Sequence, residues 1–163
     1  MYYKIDLSNY EPKEVPEYHT YNNFEFSSNE LKWLEKELNN FQDSFGRPMS
    51  EWTDFNEITE WDIPELKHRL ENNYTFYLVK RNTFYRPISG WAFIDWNRKY
   101  PYLCNRYVVP EFRKKGLGSD FVWLRCNEIV KKGHKTAAIH MADWNIPSKS
   151  VMKENIFTEI GEI

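Results

Sequence analysis

Between Tyr74 and Val109 the sequence reads as three extended segments, Tyr74–Arg81, Ile88–Trp96 and Pro101–Val109. They are rich in aromatic and β-branched residues, as strands are. The links, Asn82–Pro87 and Asn97-Arg98-Lys99, are too short for a crossover, so the segments can pair only as an antiparallel meander. A glycine-containing turn, Pro110–Gly118, then leads into a helix expected over Ser119–Lys132. Leu117, Phe121 and Leu124 line one edge of that helix and Val122, Cys126 and Ile129 the adjacent one, a wide face to bury. Gly133 is placed to close it, with Lys131 and Lys132 favourably set in its last turn.

Around this centre the pattern is less regular. Tyr2–Leu7 and Tyr21–Phe26 alternate as short strands do, separated by the turn-rich Ser8-Asn9-Tyr10 and by Pro12 and Pro16. A helix is expected from Ser28, read as its N-cap, with Leu31, Leu34, Leu38 and Phe41 at helical spacing. Asp62 and Pro64 mark a second helix start, followed by Leu66 and Leu70. Beyond the central helix, Thr136–Met141 reads as a buried strand, Pro147–Asn155 as a short helix and Phe157–Glu162 as a last strand. With 163 residues, no repeat and no low-complexity stretch, the chain reads as one domain, 1–163, with residues 1–18 as an N-terminal extension.

Charge divides the chain. Residues 1–75 carry 7 Lys/Arg against 16 Asp/Glu, a balance of -9, and residues 76–163 carry 15 against 8, a balance of +7. An acidic half favours a cationic partner and a basic half an anionic one, although solvated surface gives the same counts. The net charge of -2 speaks against a duplex nucleic acid partner. No apolar run approaches membrane-spanning length, and Met1–Leu7 lacks a signal-like pattern, so a cytoplasmic protein is expected. Cys104 and Cys126 are too few for a disulfide framework or a thiolate zinc site, and no metal is expected.

The chemistry-bearing segment is Arg113-Lys114-Lys115-Gly116-Leu117-Gly118. Two glycines let backbone approach a ligand, the first N–H groups of the following helix lack internal partners, and three cations add attraction for an anion. It is neither a Walker loop nor G-x-G-x-x-G. Within Tyr107-Val108-Val109-Pro110-Glu111-Phe112-Arg113-Lys114-Lys115-Gly116-Leu117-Gly118-Ser119 it resembles the acetyl-CoA-binding motif of the GCN5-related N-acetyltransferase (GNAT) superfamily. A helix, a strand, Asn145, Ser148 and Phe157 follow in that family's order, and two helices with a three-stranded meander precede.

The resemblance implies an α+β fold with a mixed, centrally splayed sheet of six to seven strands flanked by helices. It implies acetyl-CoA as cosubstrate and transfer of its acetyl group to a primary amine by direct attack. Backbone N–H groups from Lys114 to Ser119, spanning Lys115, Gly116, Leu117 and Gly118, would then hold the pyrophosphate, with Arg113 opening the loop. Tyr107 and Val108 would pair with the pantetheine arm, a backbone N–H near Val108 would polarise the thioester carbonyl, and Asn145 would contact the pantetheine or order its loop. Asn145 can equally cap the helix from Pro147.

Amine attack needs a base and an acid. The base candidates are Asp95, His140 and Asp143, each with an ordinary structural role open to it. Met152 stands where many members of the family have an acid Tyr, which leaves Ser148, Ser150 or water. Cys104 lies mid-strand and reads as core. The acceptor loop implied by the resemblance is Asp43–Trp61, whose Trp52, Asp54, Glu57 and Trp61 suit an ammonium group or pack on the core. A non-catalytic CoA-binding protein and acyl transfer to a nucleic acid base remain as alternatives. The sequence also stops directly after the sixth strand, where the family adds a seventh. Tyr2–Leu7, or a strand from the second subunit of a homodimer, is expected beside the fifth strand to cover its exposed backbone.

Overall fold

A computed structural model of the chain describes residues 2–15, 19–21, 27–39, 63–80, 88–140 and 160–162. They form strands β1 (Tyr2–Asp6), β2 (His19–Tyr21), β3 (Tyr74–Lys80), β4 (Ile88–Asp95), β5 (Tyr102–Val108), β6 (Thr136–His140) and β7 (Ile160–Glu162). The helices are α1 (Ser28–Asn39), α2 (Ile63–Glu71) and α3 (Leu117–Lys131), with a 3-10 turn at Pro110–Phe112. The expected meander is β3–β4–β5, paired antiparallel throughout. Among the described residues the sheet has seven strands in the order β2-β3-β4-β5-β6-β1-β7.

The N-terminal strand settles how the sheet is completed. β1 runs antiparallel to β6, from Tyr2↔His140 to Asp6↔Thr136, and β7 pairs with its other edge. Leu7 N–H continues the ladder to Lys135 O at 2.8 Å. Ile5 and Leu7 are buried by this insertion, so the apolar positions of Tyr2–Leu7 find the core inside their own chain. The following residues strap α3 to the sheet. Tyr10 Oη donates to Asn127 Oδ1 at 2.6 Å, Lys13 N–H donates to the same oxygen, and Asn127 Nδ2 donates to Lys13 O. Tyr10 also stacks on Trp123.

Two apolar layers cover the sheet. On one side α3 packs Leu117, Phe121, Val122, Cys126 and Ile129 against Tyr77, Ala92, Ile94, Leu103 and Ala137. On the other, Leu34 of α1 and Leu66 and Leu70 of α2 meet Phe76, Leu78, Trp91, Phe93 and Tyr107. Successive residues of β3 and β4 alternate between the layers, as the pleat requires.

Helix ends differ from the sequence expectation in instructive ways. Ser27, not Ser28, caps α1: its Oγ accepts from Glu30 N–H at 3.2 Å and its carbonyl from Leu31 N–H. Ser27-Ser28-Asn29-Glu30 has the capping-box spacing, which places the cap one residue earlier. α3 begins at Leu117 rather than Ser119, because Gly116 takes the N-cap position at φ 85°. Gly133 (φ 88°) ends α3 in a Schellman motif, with Gly133 N–H bonded to Val130 O and His134 N–H to Ile129 O. The expected helix Pro147–Asn155 lies outside the described residues.

Candidate cofactor site

β5 and β6 lie side by side but pair only briefly. Their parallel ladder comprises Tyr102↔Ala138 and Leu103↔Ile139, and no further β5–β6 pair forms among the described residues. The described part of β6 ends at His140, so the splay expected between the fifth and sixth strands in chain order lies at the limit of the described residues. The other edge of β5 stays bonded to β4 as far as Gly90↔Val108, and Val109 N–H continues to Ser89 O at 2.8 Å.

The loop after β5 is shaped by backbone. Lys114 (φ 62°) and Gly116 (φ 85°) both adopt the left-handed region, one of them without a glycine's freedom. Left-handed residues within a turn direct successive N–H groups towards a common concavity, suited to an anion. Gly116, at the N-cap of α3, has no side chain to cap the helix. Arg113 Nε donates to Val108 O at 2.8 Å, tying the loop to the end of β5. Lys114, Lys115 and Gly116 are exposed, Gly118 and Ser119 are half-buried, and Leu117 turns into the core. The loop thus joins a cationic rim, a helix N-terminus and the end of β5.

Sequence reasoning missed the residues that support this corner. A Cβ on Gly90 would lie 2.6 Å from Tyr107 O and 3.0 Å from a ring carbon of Phe121. β4 therefore approaches β5 and α3 as only glycine permits, and an isolated Gly in a strand pattern was the available signal. Arg106 of β5 lies under the first turn of α3, its Nε and Cζ each 4.0 Å from where a Cβ of Gly118 would sit. Burial and then the charge of Arg125 lower the Arg106 guanidinium to about 9, which leaves it cationic near neutral pH.

Asp95 is placed elsewhere. Tyr102 is its partner across the hairpin, six residues before Val108, or about 20 Å of strand. Its carboxylate accepts from Tyr74 Oη (3.1 Å), Asn97 N–H and Nδ2 (both 2.9 Å), and Arg98 Nε (3.1 Å). That geometry gives it the turn role and takes it away from the splay. His140 ends β6, one residue beyond the last β5–β6 pair. Cys104 and Cys126 are held as thiols, burial pushing each up to about 12, which removes a ready thiolate nucleophile. Asp143, Asn145, Ser148, Ser150 and Met152, and the Asp43–Trp61 loop with Trp52, Asp54, Glu57 and Trp61, lie outside the described residues.

The fold has counterparts among solved structures. A GCN5-related N-acetyltransferase from Sphaerobacter thermophilus superposes with a TM-score of 0.54 at 11% identity, over 94% of this chain and 45% of its own. The fold is shared with a GCN5-related N-acetyltransferase. A Drosophila protein matches with a TM-score of 0.57 at 14% identity over 94% of this chain and 45% of its own. A conserved protein of unknown function from Staphylococcus epidermidis matches with a TM-score of 0.53 at 12% identity, over 98% and 57%. The chain thus spans about half the length of these structures. No family model and no curated protein matches it. Among the described residues no helix is long and apolar enough to cross a membrane, and no group of three or more His, Cys, Asp or Glu is set to hold a metal ion.

Proposed function

We propose that this chain is an N-acetyltransferase that takes acetyl-CoA as cosubstrate and passes the acetyl group to a primary amine. The supporting observation is the coincidence, directly after β5, of the left-handed Lys114 and Gly116 with the start of α3. A pyrophosphate needs converging N–H groups and nearby cations, which the left-handed Lys114 and Gly116, the start of α3 and the exposed Lys114 and Lys115 would supply. A pantetheine arm needs a strand edge to run along, and among the described residues β5 carries no β6 pair beyond Leu103. When bound, acetyl-CoA supplies the activated acyl carbon.

The chain's part is to hold and orient. Arg113 keeps the loop against Val108, Gly90 allows the close packing behind it, and a backbone N–H near Val108 would polarise the thioester carbonyl. Asp95 is left out of the proton transfers because four donors occupy its carboxylate. His140 and Ser148 remain the proposed base and acid, Asn145 a pantetheine contact, and Trp52, Asp54, Glu57 and Trp61 the face for a cationic amine. Calorimetric titration with acetyl-CoA, followed by thiol release across a panel of amines, tests the proposal in two stages. Micromolar binding with amine-dependent thiol release is expected. Binding without release makes this a CoA-binding protein, and absence of binding removes the proposal.

A further inference from the structure

β5 contains one residue more than β4 can match. Trp91 pairs with Tyr107 and Phe93 with Cys104, so Ala92 alone faces both Asn105 and Arg106, a β-bulge. Its effect is visible in the two apolar layers. Leu103 belongs to the α3 side and Cys104 to the α1–α2 side, as alternation demands. Strict alternation would then return Tyr107 to the α3 side. Instead Tyr107 lies on the α1–α2 side, its ring 4.7 Å from Trp91, and Val108 lies on the α3 side. The bulge reverses the strand's parity in the last residues before the anion loop.

Arg125 of α3 is buried at this irregularity, 1% exposed. Its Nε donates to Phe121 O in its own helix at 3.0 Å. Its Nη1 reaches two strands at once, to Phe93 O at 3.3 Å and Cys104 O at 3.4 Å, the pair that borders the bulge. Among the described residues no carboxylate forms an ion pair with it. A guanidinium is an expensive group to bury, yet its several donors in one plane can serve carbonyls on three elements together. An apolar residue at this point of the helix face would fill the space but leave those carbonyls without the donor.

We propose that Arg125 is a positioning residue that clamps the β5 bulge between α3 and β4 and so fixes which way the 107–109 backbone faces. This rests on the cofactor reading of β5 for its consequence, but the clamp itself is a property of the sheet. The direction of the 107–109 backbone decides whether the edge meeting the pantetheine is aligned with the loop at 113–116. Arg125 acts through the strand and touches no substrate.

The test compares wild type with Arg125→Met and Arg125→Lys by NMR-detected amide exchange and by calorimetric titration with coenzyme A. In Arg125→Met, exchange is expected to quicken about tenfold or more for residues 104–109 and to stay within about twofold for β3 and the C-terminal half of α3. Coenzyme A affinity is expected to fall about tenfold, with Arg125→Lys intermediate in both measurements. Unchanged exchange at 104–109, an even quickening across the sheet, or failure of both variants to fold would overturn the clamp. Failure of the wild type to bind coenzyme A would sink the cofactor reading instead, while the exchange pattern still decides the clamp.

Discussion

The β4–β5 hairpin has two ends built on opposite principles. At the turn, Asp95 gathers Tyr74, Asn97 and Arg98 onto one carboxylate, and Asn97 Nδ2 also donates to Asn72 O at 2.7 Å. At the other end, the polar groups that matter belong to backbone: Val108, the left-handed Lys114 and Gly116, and the start of α3. Side chains satisfy one another at the first end and leave a shaped, cationic opening at the second. The difference teaches where to look for function, since a saturated polar cluster holds structure and a helix started by a glycine after a left-handed turn can receive a ligand.

The largest expected effect lies at the open end. Gly90→Ala puts a methyl 2.6 Å from Tyr107 O, and backbone cannot yield as a side chain would. A loss of about 3 kcal/mol in denaturant unfolding is expected, near the top of the usual range for overpacking, together with loss of acetyl-CoA binding. An unaffected midpoint would show that β4 and β5 are not packed this tightly. Asp95→Ala addresses the turn and should cost about 2 kcal/mol by stranding its donors, while acetyl-CoA affinity stays at the wild-type value. A collapse of turnover without loss of stability would restore Asp95 as a catalytic base and erase the contrast between the ends.

Smaller changes sharpen it. Gly116→Ala meets no atom within 4 Å but must hold φ 85°, a strain of about 1 kcal/mol. Thermal melts should therefore move by a few degrees while acetyl-CoA affinity drops more steeply. Lys115→Gln removes one exposed rim charge and should weaken acetyl-CoA about two- to threefold at low salt, with the difference fading as salt rises. The last effect is alkaline. Burial, and then the charge of Asp95, raise the Tyr74 phenol to about 12 from an ordinary 10. The unfolded chain then releases that proton first, so stability is full below pH 10 and declines as pH climbs towards 12. In Tyr74→Phe the slope of melting temperature against pH should be shallower over that interval, and an identical slope would remove Tyr74 from the turn's account.

Local chemistry made much of this legible in advance. The meander followed from links too short for a crossover, the turn into α3 from the glycines ahead of it, and Gly133 from its place after the last apolar turn. Ser27 was missed because two adjacent serines offer the same cap and only the distance to Glu30 separates them. Asp95 drew attention as an acidic residue at a strand end, but only the fold brings Tyr74 and Arg98 to it. Gly90 and Arg125 were legible only as exceptions, a glycine inside a strand and an arginine inside an apolar face.

What the sequence determined by itself was where most of the described elements lie, because periodicity, turn residues and caps act over a few positions. Only the tertiary structure decided that β1 lies between β6 and β7 and that a bulge reverses β5 before the loop. Each depends on contacts between residues far apart in the chain. Strand order and register are set by which apolar faces and backbone edges can be satisfied together.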